Sequence, residues 1–351
     1  MVRIVHTGDM HLDSPFKGLP RGVAQLRKEE QRETFLRLME ETKAYHADIL
    51  LIAGDLFDSR YVSGETVAFL KEAFSRIPET AVFVAPGNHD FLAEDSRYRT
   101  EDFGENVHIF GEKFEAVTLG EVTVYGVGFP SRYVKESMLP PDGVHTGEGI
   151  GILLMHGDVA GESDYNPISV AGLSQSGVQY AALGHVHTFS EICHAGKTAY
   201  AYPGILEGRH FDEGDEGGYI RGEISKEGVN LAFVPIAKRR NETCRVDITD
   251  LGTTEEIKNK IKSVLSLQNL YKIVLCGEIS GTLYIDTALL QKELGESCLY
   301  IKIQDETTTR TDGEEESLLE KLFAQRLRER TDRVGQMALR LGLDALRRQK
   351  R

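Results

Sequence analysis

Five short apolar runs, each ending in a loop that carries Asp, Asn or His, constrain this chain more than any other feature. They deliver Gly8-Asp9-Met10-His11, Gly54-Asp55-Leu56-Phe57-Asp58, Gly87-Asn88-His89-Asp90, Met155-His156-Gly157-Asp158 and Gly184-His185-Val186-His187. The run before Asn88, Ala81-Val82-Phe83-Val84, is short, β-rich and closed by Pro86 and Gly87, as a buried strand should be. A lone His such as His156 is ordinarily a satisfied core histidine, and Asp9 or Asp55 could serve as a helix cap. Seven such groups at five strand ends describe one site instead.

The first third reads as strand, helix, strand, helix, strand. Val2 to His6 is a strand, and a helix follows from Val23 to His46, with Phe35, Leu38 and Met39 on one face and Glu, Arg and Lys on the other. Asp48 to Ala53 is almost continuously apolar, which predicts a strand covered on both faces. Val67, Leu70, Phe74 and Ile77 form a second helical stripe, closed by Pro78. Right-handed crossovers then gather the loop residues at the carboxyl ends of the strands. A polar loop from Phe91 to Phe103 leads into short alternating strands. Further strands are expected at Ile150 to Met155, Tyr180 to Leu183, around Glu191, and at Tyr219 to Ile224 and Val229 to Ile236. The fold class is α/β: two face-to-face sheets flanked by helices, a four-layer α/β/β/α sandwich.

The polar stretch Lys238 to Asn241 marks a boundary, so residues 1–238 form the main domain. Residues 244–305 read as a small α+β capping-type module, with a helix from Thr253 to Ser266 opened by Thr253 and Glu256. Asp305 to Glu316 is an acidic linker, and residues 317–351 form a helical C-terminal segment. Leu319, Leu322, Phe323 and Leu327 share a face there, Arg326, Arg328, Arg330 and Arg333 lie off it, and Met337, Leu341, Leu343 and Leu346 form a second cluster.

Charge is divided unevenly. The 351 residues carry 41 Lys/Arg and 55 Asp/Glu, a formal −14. The segment from Ser317 holds ten of the bases and four of the acids, net +6, which leaves the first 316 residues at −20. An acidic body with a basic tail fits a metal site plus a docking segment, or a solvated basic helix face. No run approaches about eighteen apolar residues and no leader is evident, so the expected location is cytoplasmic. Cys193, Cys244, Cys276 and Cys298 lie far apart and are expected to be reduced structural thiols.

Imidazole, carboxylate and amide donors without thiolate favour two divalent ions, manganese or iron over structural zinc. Two such ions would acidify a bridging water to give the hydroxide nucleophile and bind phosphoryl oxygens, the requirements for cleaving a phosphodiester. Asp55, in the middle stretch, is the candidate bridging carboxylate.

The order D-x-H, GD-x-x-D, GNHD, H, GH-x-H resembles the calcineurin-like metallophosphoesterases. With His6 to Phe16, the GDLFD stretch and Tyr202 to His210, it is similar to their bacterial DNA-repair exonucleases of the YhaO and SbcD type. The resemblance covers residues 1 to about 235. It implies that Asp9, His11, Asp55 and His187 hold one metal, and Asp55, Asn88, His156 and His185 the other. His89 would be the general acid. It further implies DNA exo- or endonuclease activity, an SbcC-like coiled-coil ATPase docked on the C-terminal helices, and a homodimer. Asp58 is expected to orient the His89 imidazole, with a turn or cap role as the other reading. Ser59 and Asp90 depart from the protein-phosphatase pattern of GD-x-x-D-R-G and GNHE, which argues against a phosphoprotein substrate. Arg60, Arg97, Arg99, Arg132 and Arg209 are candidate phosphate contacts, or solvated loop arginines. His6, His108, His145, His194 and His210 match no ligand position. A phosphodiesterase or phosphatase on a small nucleotide is the alternative function, and a scaffold without metals a third.

Overall fold

A computed structural model describes residues 1–59, 61–144, 147–213, 216–280, 283–309, 318–327, 330 and 333–348. Chain packing divides it into two compact units, Met1–Asn241 and Glu242–Arg351.

The first unit opens with β1 (Val2–Thr7), α1 (Arg21–Ala44), β2 (Ile49–Ile52), α2 (Gly64–Ser75), β3 (Ala81–Val84), the one-turn α3 (Arg97–Thr100) and β4 (Val107–Ile109). Then come β5 (Glu115–Leu119), β6 (Val122–Gly126), β7 (Ile150–His156), α4 (Val170–Gln175), β8 (Tyr180–Gly184), β9 (Cys193–Ala195), β10 (Thr198–Ala201), β11 (Gly218–Ile224) and β12 (Val229–Pro235). One sheet runs β12-β11-β1-β2-β3-β4 and the other β5-β6-β7-β8-β10-β9. In the first, β1 to β4 are parallel, and in the second β6, β7, β8 and β10 are. Antiparallel strands occupy the remaining positions.

Strand alternation explains the layers. Ile4, Leu51 and Phe83 point inward and pack with Val124, Ile152, Leu154 and Ala182 of the other sheet. Their neighbours Val5, Leu50, Ile52, Val82 and Val84 point outward, under Phe35, Leu38, Val67, Leu70 and Phe74 of α1 and α2. On the far side Leu153, Met155, Ala181 and Leu183 meet Leu173 of α4 and Val178. The central strands β2, β3, β7 and β8 are therefore apolar on both faces, which is why their sequence runs lacked alternation. The Ser63 side chain caps α2 by accepting from the Thr66 amide.

Two expectations change. The strand expected around Glu191 starts two residues on, at Cys193, and Glu191 itself is irregular backbone at φ 63°. The strands are β9 and β10, joined at Gly196 as a hairpin, and β10 pairs parallel with β8. Nor is the polar face of α1 all solvated: Arg27 and Glu30 are 1% and 2% exposed.

The second unit contains β13 (Asn241–Asp247), whose first residue closes the first unit, α5 (Thr254–Lys262), β14 (Leu270–Cys276), β15 (Glu278–Ile279), α6 (Thr287–Leu294), β16 (Tyr300–Asp305) and β17 (Thr308–Thr309). A three-stranded sheet, β13-β14-β16, packs Val246, Ile273, Leu275 and Ile303 against Ile257 and Ile261 of α5 and Leu290 and Leu294 of α6. Thr253 and Glu256 form a reciprocal capping box at the start of α5. The start of the expected linker is β17, paired with β15, and residues 310–317 lie outside the described residues. The unit closes with α7 (Leu318–Leu327) and α8 (Arg333–Arg348), where the Phe323 ring packs directly on Gly342. Leu318, Leu319, Leu322, Val334, Met337 and Leu341 are exposed. Arg328 lies outside the described residues.

Among the described residues no helix is long and apolar enough to cross a membrane. All four cysteines are free thiols, with Cys298 buried.

Candidate metal centre

The carboxyl ends of β1, β2 and β3 in one sheet and of β7 and β8 in the other converge. The loops after β1 and β2 run side by side: the Asp9 amide donates to the Gly54 carbonyl at 3.0 Å and the His11 amide to the Asp55 carbonyl at 2.8 Å. Asp9, His11, Asp55 and His185 all sit at positive φ, at 50°, 47°, 48° and 113°. Left-handed backbone at four non-glycine positions is strain that only a tightly determined site retains. Gly87 is required for a different reason: a Cβ there would overlap the Asp55 carboxylate.

The donor atoms face one another in two groups. In the first, His11 Nε2 lies 3.3 Å from His187 Nε2 and 3.7 Å from Asp55 Oδ2, and His187 Nε2 lies 3.8 Å from Asp9 Oδ1. In the second, Asn88 Oδ1 lies 2.9 Å from His156 Nε2 and 3.2 Å from His185 Nδ1, with Asp55 Oδ2 3.6 Å from His156 Nε2. Asp55 borders both groups. His156 Nδ1 donates to the Ala53 carbonyl at 2.9 Å, so its Nε2 carries a lone pair toward the Asn88 oxygen. The His156 Nε2 lone pair and the Asn88 oxygen then face each other at 2.9 Å, a contact that a cation held by both would relieve. Among the described residues, Asp9, His11 and His187, and likewise Asp9, Asp55 and His156, have ligand atoms within 4.8 Å of one another.

Burial acts to lower His187, but its bond to Glu213 and the nearby Asp9 outweigh this and raise it, whereas the other titratable groups agree with the donor set. Burial pushes the Asp9 and Asp55 carboxyls up, and their mutual repulsion raises Asp9 further. Burial lowers His11, and takes His156 and His185 to about 4, which keeps these imidazoles neutral and able to ligate. A divalent ion would supply the positive charge that two buried carboxylates lack.

His89 stands beside the cluster, half-buried, its ring edge-on to His11 with centroids 4.7 Å apart. Its amide donates to Asp55 Oδ1 at 2.9 Å. Its Nδ1 lies 2.9 Å from the backbone carbonyl of Asp58, not from the carboxylate. This corrects the expected role of the Asp58 side chain. The loop turns its carboxylate to Arg209 Nη1 at 2.8 Å and to within 3.4 Å of His11 Nδ1.

The arginines also depart from expectation. Arg209 is buried, and its guanidinium is committed to Asp58 and Glu213 rather than open to a phosphate. Arg97 pairs with Glu101 in its own loop, and Arg99 donates to the Leu92 carbonyl and to Glu112 beyond β4, so both are engaged by the protein. Arg132 lies over the Tyr133 ring. Arg60 and His145 lie outside the described residues. Of the other histidines, buried His6 bonds the Tyr180 hydroxyl at 2.8 Å.

Two contributors had no role in the sequence reading. Asp90 accepts from the Gly87 amide at 2.7 Å, the Phe57 amide at 3.2 Å and the Tyr98 hydroxyl at 2.6 Å, so it ties the GNHD loop to the GDLFD loop. Its place beside His89 in GNHD was the available signal. Glu213 lies 2.8 Å from His187 Nδ1, three residues beyond the Tyr202 to His210 stretch, and no sequence signal marked it.

Comparison with known proteins identifies the family. Residues 2–189 match the family described as calcineurin-like phosphoesterase. Over 276 residues the chain is 30% identical to "Uncharacterized metallophosphoesterase YhaO" of Bacillus subtilis (strain 168), covering 75% of this chain and 67% of that one. It is 25% identical over 288 residues to the DNA double-strand break repair protein Mre11 of Aeropyrum pernix, covering 74% and 67%. A solved structure, TT1561 of Thermus thermophilus, aligns over 67% of this chain and all of that one at 14% identity and TM-score 0.42. The chain belongs to the calcineurin-like phosphoesterases, and is a metal-dependent phosphoester hydrolase.

Proposed function

We propose that this hydrolase acts on the phosphodiesters of DNA, as an exo- or endonuclease in DNA repair. The observation that carries the substrate is the extent of the likeness to a DNA double-strand break repair protein, which spans 74% of the chain whereas the family match covers residues 2–189. Asp9, His11, Asp55 and His187 would hold one ion, and Asp55, Asn88, His156 and His185 the other. Manganese is the ion that this nitrogen and oxygen donor set favours, with iron(II) next. When bound, such ions supply an acidified water and a positive clamp for phosphoryl oxygens. His89 is the general acid: its Nδ1 is engaged by the Asp58 carbonyl, which leaves Nε2 for the leaving oxygen. The exposed apolar residues of α7 and α8 are the proposed seat for an SbcC-like coiled-coil ATPase, and a homodimer and a cytoplasmic location accompany this reading.

The test measures manganese-dependent cleavage of linear duplex DNA beside a cyclic nucleotide and a p-nitrophenyl phosphoester, for the wild type and His89→Ala. DNA should be cut by the wild type, while the variant keeps its metal and loses roughly 10²- to 10⁴-fold in turnover. Wild-type cleavage by His89→Ala would remove the acid role. Turnover of the cyclic nucleotide without cleavage of DNA would replace the substrate with a small nucleotide.

A further inference from the structure

The geometry points to a charged clasp, Arg209 held between Glu213 and Asp58, as the positioning device for the His187 imidazole. The inference rests on His187 being a metal ligand. Glu213 Oε1 lies 2.8 Å from His187 Nδ1. A proton on Nδ1 directed at that carboxylate leaves the lone pair on Nε2, the atom 3.3 Å from His11 Nε2 and 3.8 Å from Asp9 Oδ1. The glutamate cannot swing away. Arg209 grips both of its oxygens, Nη2 to Oε1 at 2.7 Å and the backbone amide to Oε2 at 2.7 Å, with Nε to Oε2 at 3.4 Å.

The remaining arm of the guanidinium, Nη1, reaches Asp58 Oδ1 at 2.8 Å, and that oxygen lies 3.4 Å from His11 Nδ1. One planar cation thus ties the carboxylate bonded to His187, after β8, to a second one that stands beside His11, after β1, without a hydrogen bond to it. A fork of fixed geometry suits this task, which a lysine could not perform. The segment carrying the clasp is anchored in turn. Glu207, two residues upstream of Arg209, accepts from Arg27 Nη2 at 2.7 Å, from the Thr34 hydroxyl at 2.7 Å and from the Lys238 amide at 2.6 Å. Arg27 Nη2 also donates to the Gly208 carbonyl at 3.2 Å. With Nε, Nη1 and Nη2 all engaged, Arg209 acts through Glu213 and Asp58, not on substrate.

A carboxylate that orients a ligating imidazole typically contributes about 10- to 100-fold in metal affinity. The experiment uses the full chain, stripped of metal, with nitrogen-15 imidazole spectra of His187 and manganese titration by calorimetry. The wild type should show His187 protonated at Nδ1 and bind two equivalents. Glu213→Ala should give a mixed tautomer and weaken one of the two equivalents 10- to 100-fold, while Glu213→Gln, which keeps an acceptor, recovers part of that loss. Should Glu213→Ala fail to fold by circular dichroism, Glu213→Gln and Asp58→Asn carry the test, each expected to weaken one equivalent by a smaller factor. A wild-type tautomer and two wild-type affinities in the folded variants overturn the clasp. A wild type that binds no manganese overturns the metal centre itself, a separate result.

Discussion

Asn88 places its oxygen between two imidazoles, and its neighbours show how little freedom that position has. Gly87 approaches the Asp55 carboxylate so closely that Gly87→Ala must displace either the bridging candidate or the GNHD loop. We expect a cost of about 1–3 kcal/mol in stability, typical of overpacking, together with weaker manganese binding, read by urea denaturation and calorimetry. Asp55→Asn removes the candidate bridging carboxylate, and should reduce manganese binding to at most one equivalent. At this scale the sequence was most legible where chemistry and spacing coincide. The seven donors fell in loops directly after apolar runs, and the structure brings them together. Glu213 was not legible, because its partner His187 is 26 residues away and the pairing exists only once β10 and β11 have formed. Arg209 was misread for a related reason: a loop arginine in sequence is indistinguishable from a free one until its carboxylates are placed.

The helix α1 carries more than the apolar stripe its period announced. Phe35, Leu38 and Met39 cover the sheet, while Arg27 sits 1% exposed and bonds Glu30 and Glu207, each at 2.7 Å. Period alone marks the face that packs on a sheet, and it cannot say whether a charged face meets water or another buried charge. Arg27→Ala leaves Glu207 and Glu30 with less compensation in the interior, and should cost about 3–5 kcal/mol, measured from the denaturation midpoint. The same cluster sets a pH dependence. Burial acts to raise Glu30, but its bonds to Arg239 and Arg27 outweigh this and hold its carboxyl below the ordinary value. The folded value is therefore lower than the unfolded one. The stabilisation is complete above the unfolded value and is lost as pH falls through the folded value. Glu30→Gln should accordingly lose less stability than the wild type on acidification from pH 7 into that range. The hairpin of β9 and β10 was the least legible element, since strands of three and four residues are too short for a period to register.

Across the whole molecule the order of elements was readable because consecutive apolar runs with intervening helical stripes admit few topologies. Which strand joins which sheet was not: β11 and β12 follow all of the second sheet in sequence yet complete the first, and only pairing with β1 puts them there. The donors divide between the sheets in the same way, with Asp9, His11, Asp55 and Asn88 on one and His156, His185 and His187 on the other. Manganese at about 100 times its dissociation constant should raise stability by about 2.7 kcal/mol for each site filled, seen as a higher melting temperature that a chelator reverses.

That division makes the ions rivets across a seam. Two leaves that otherwise adhere through an oily layer become pinned at one edge, so the loaded protein should resist proteolysis on both leaves at once and the stripped protein should open from that edge. Assembly and activity are then one event: a chain whose leaves have slipped out of alignment has no place for the cations, and is silent rather than loosely active.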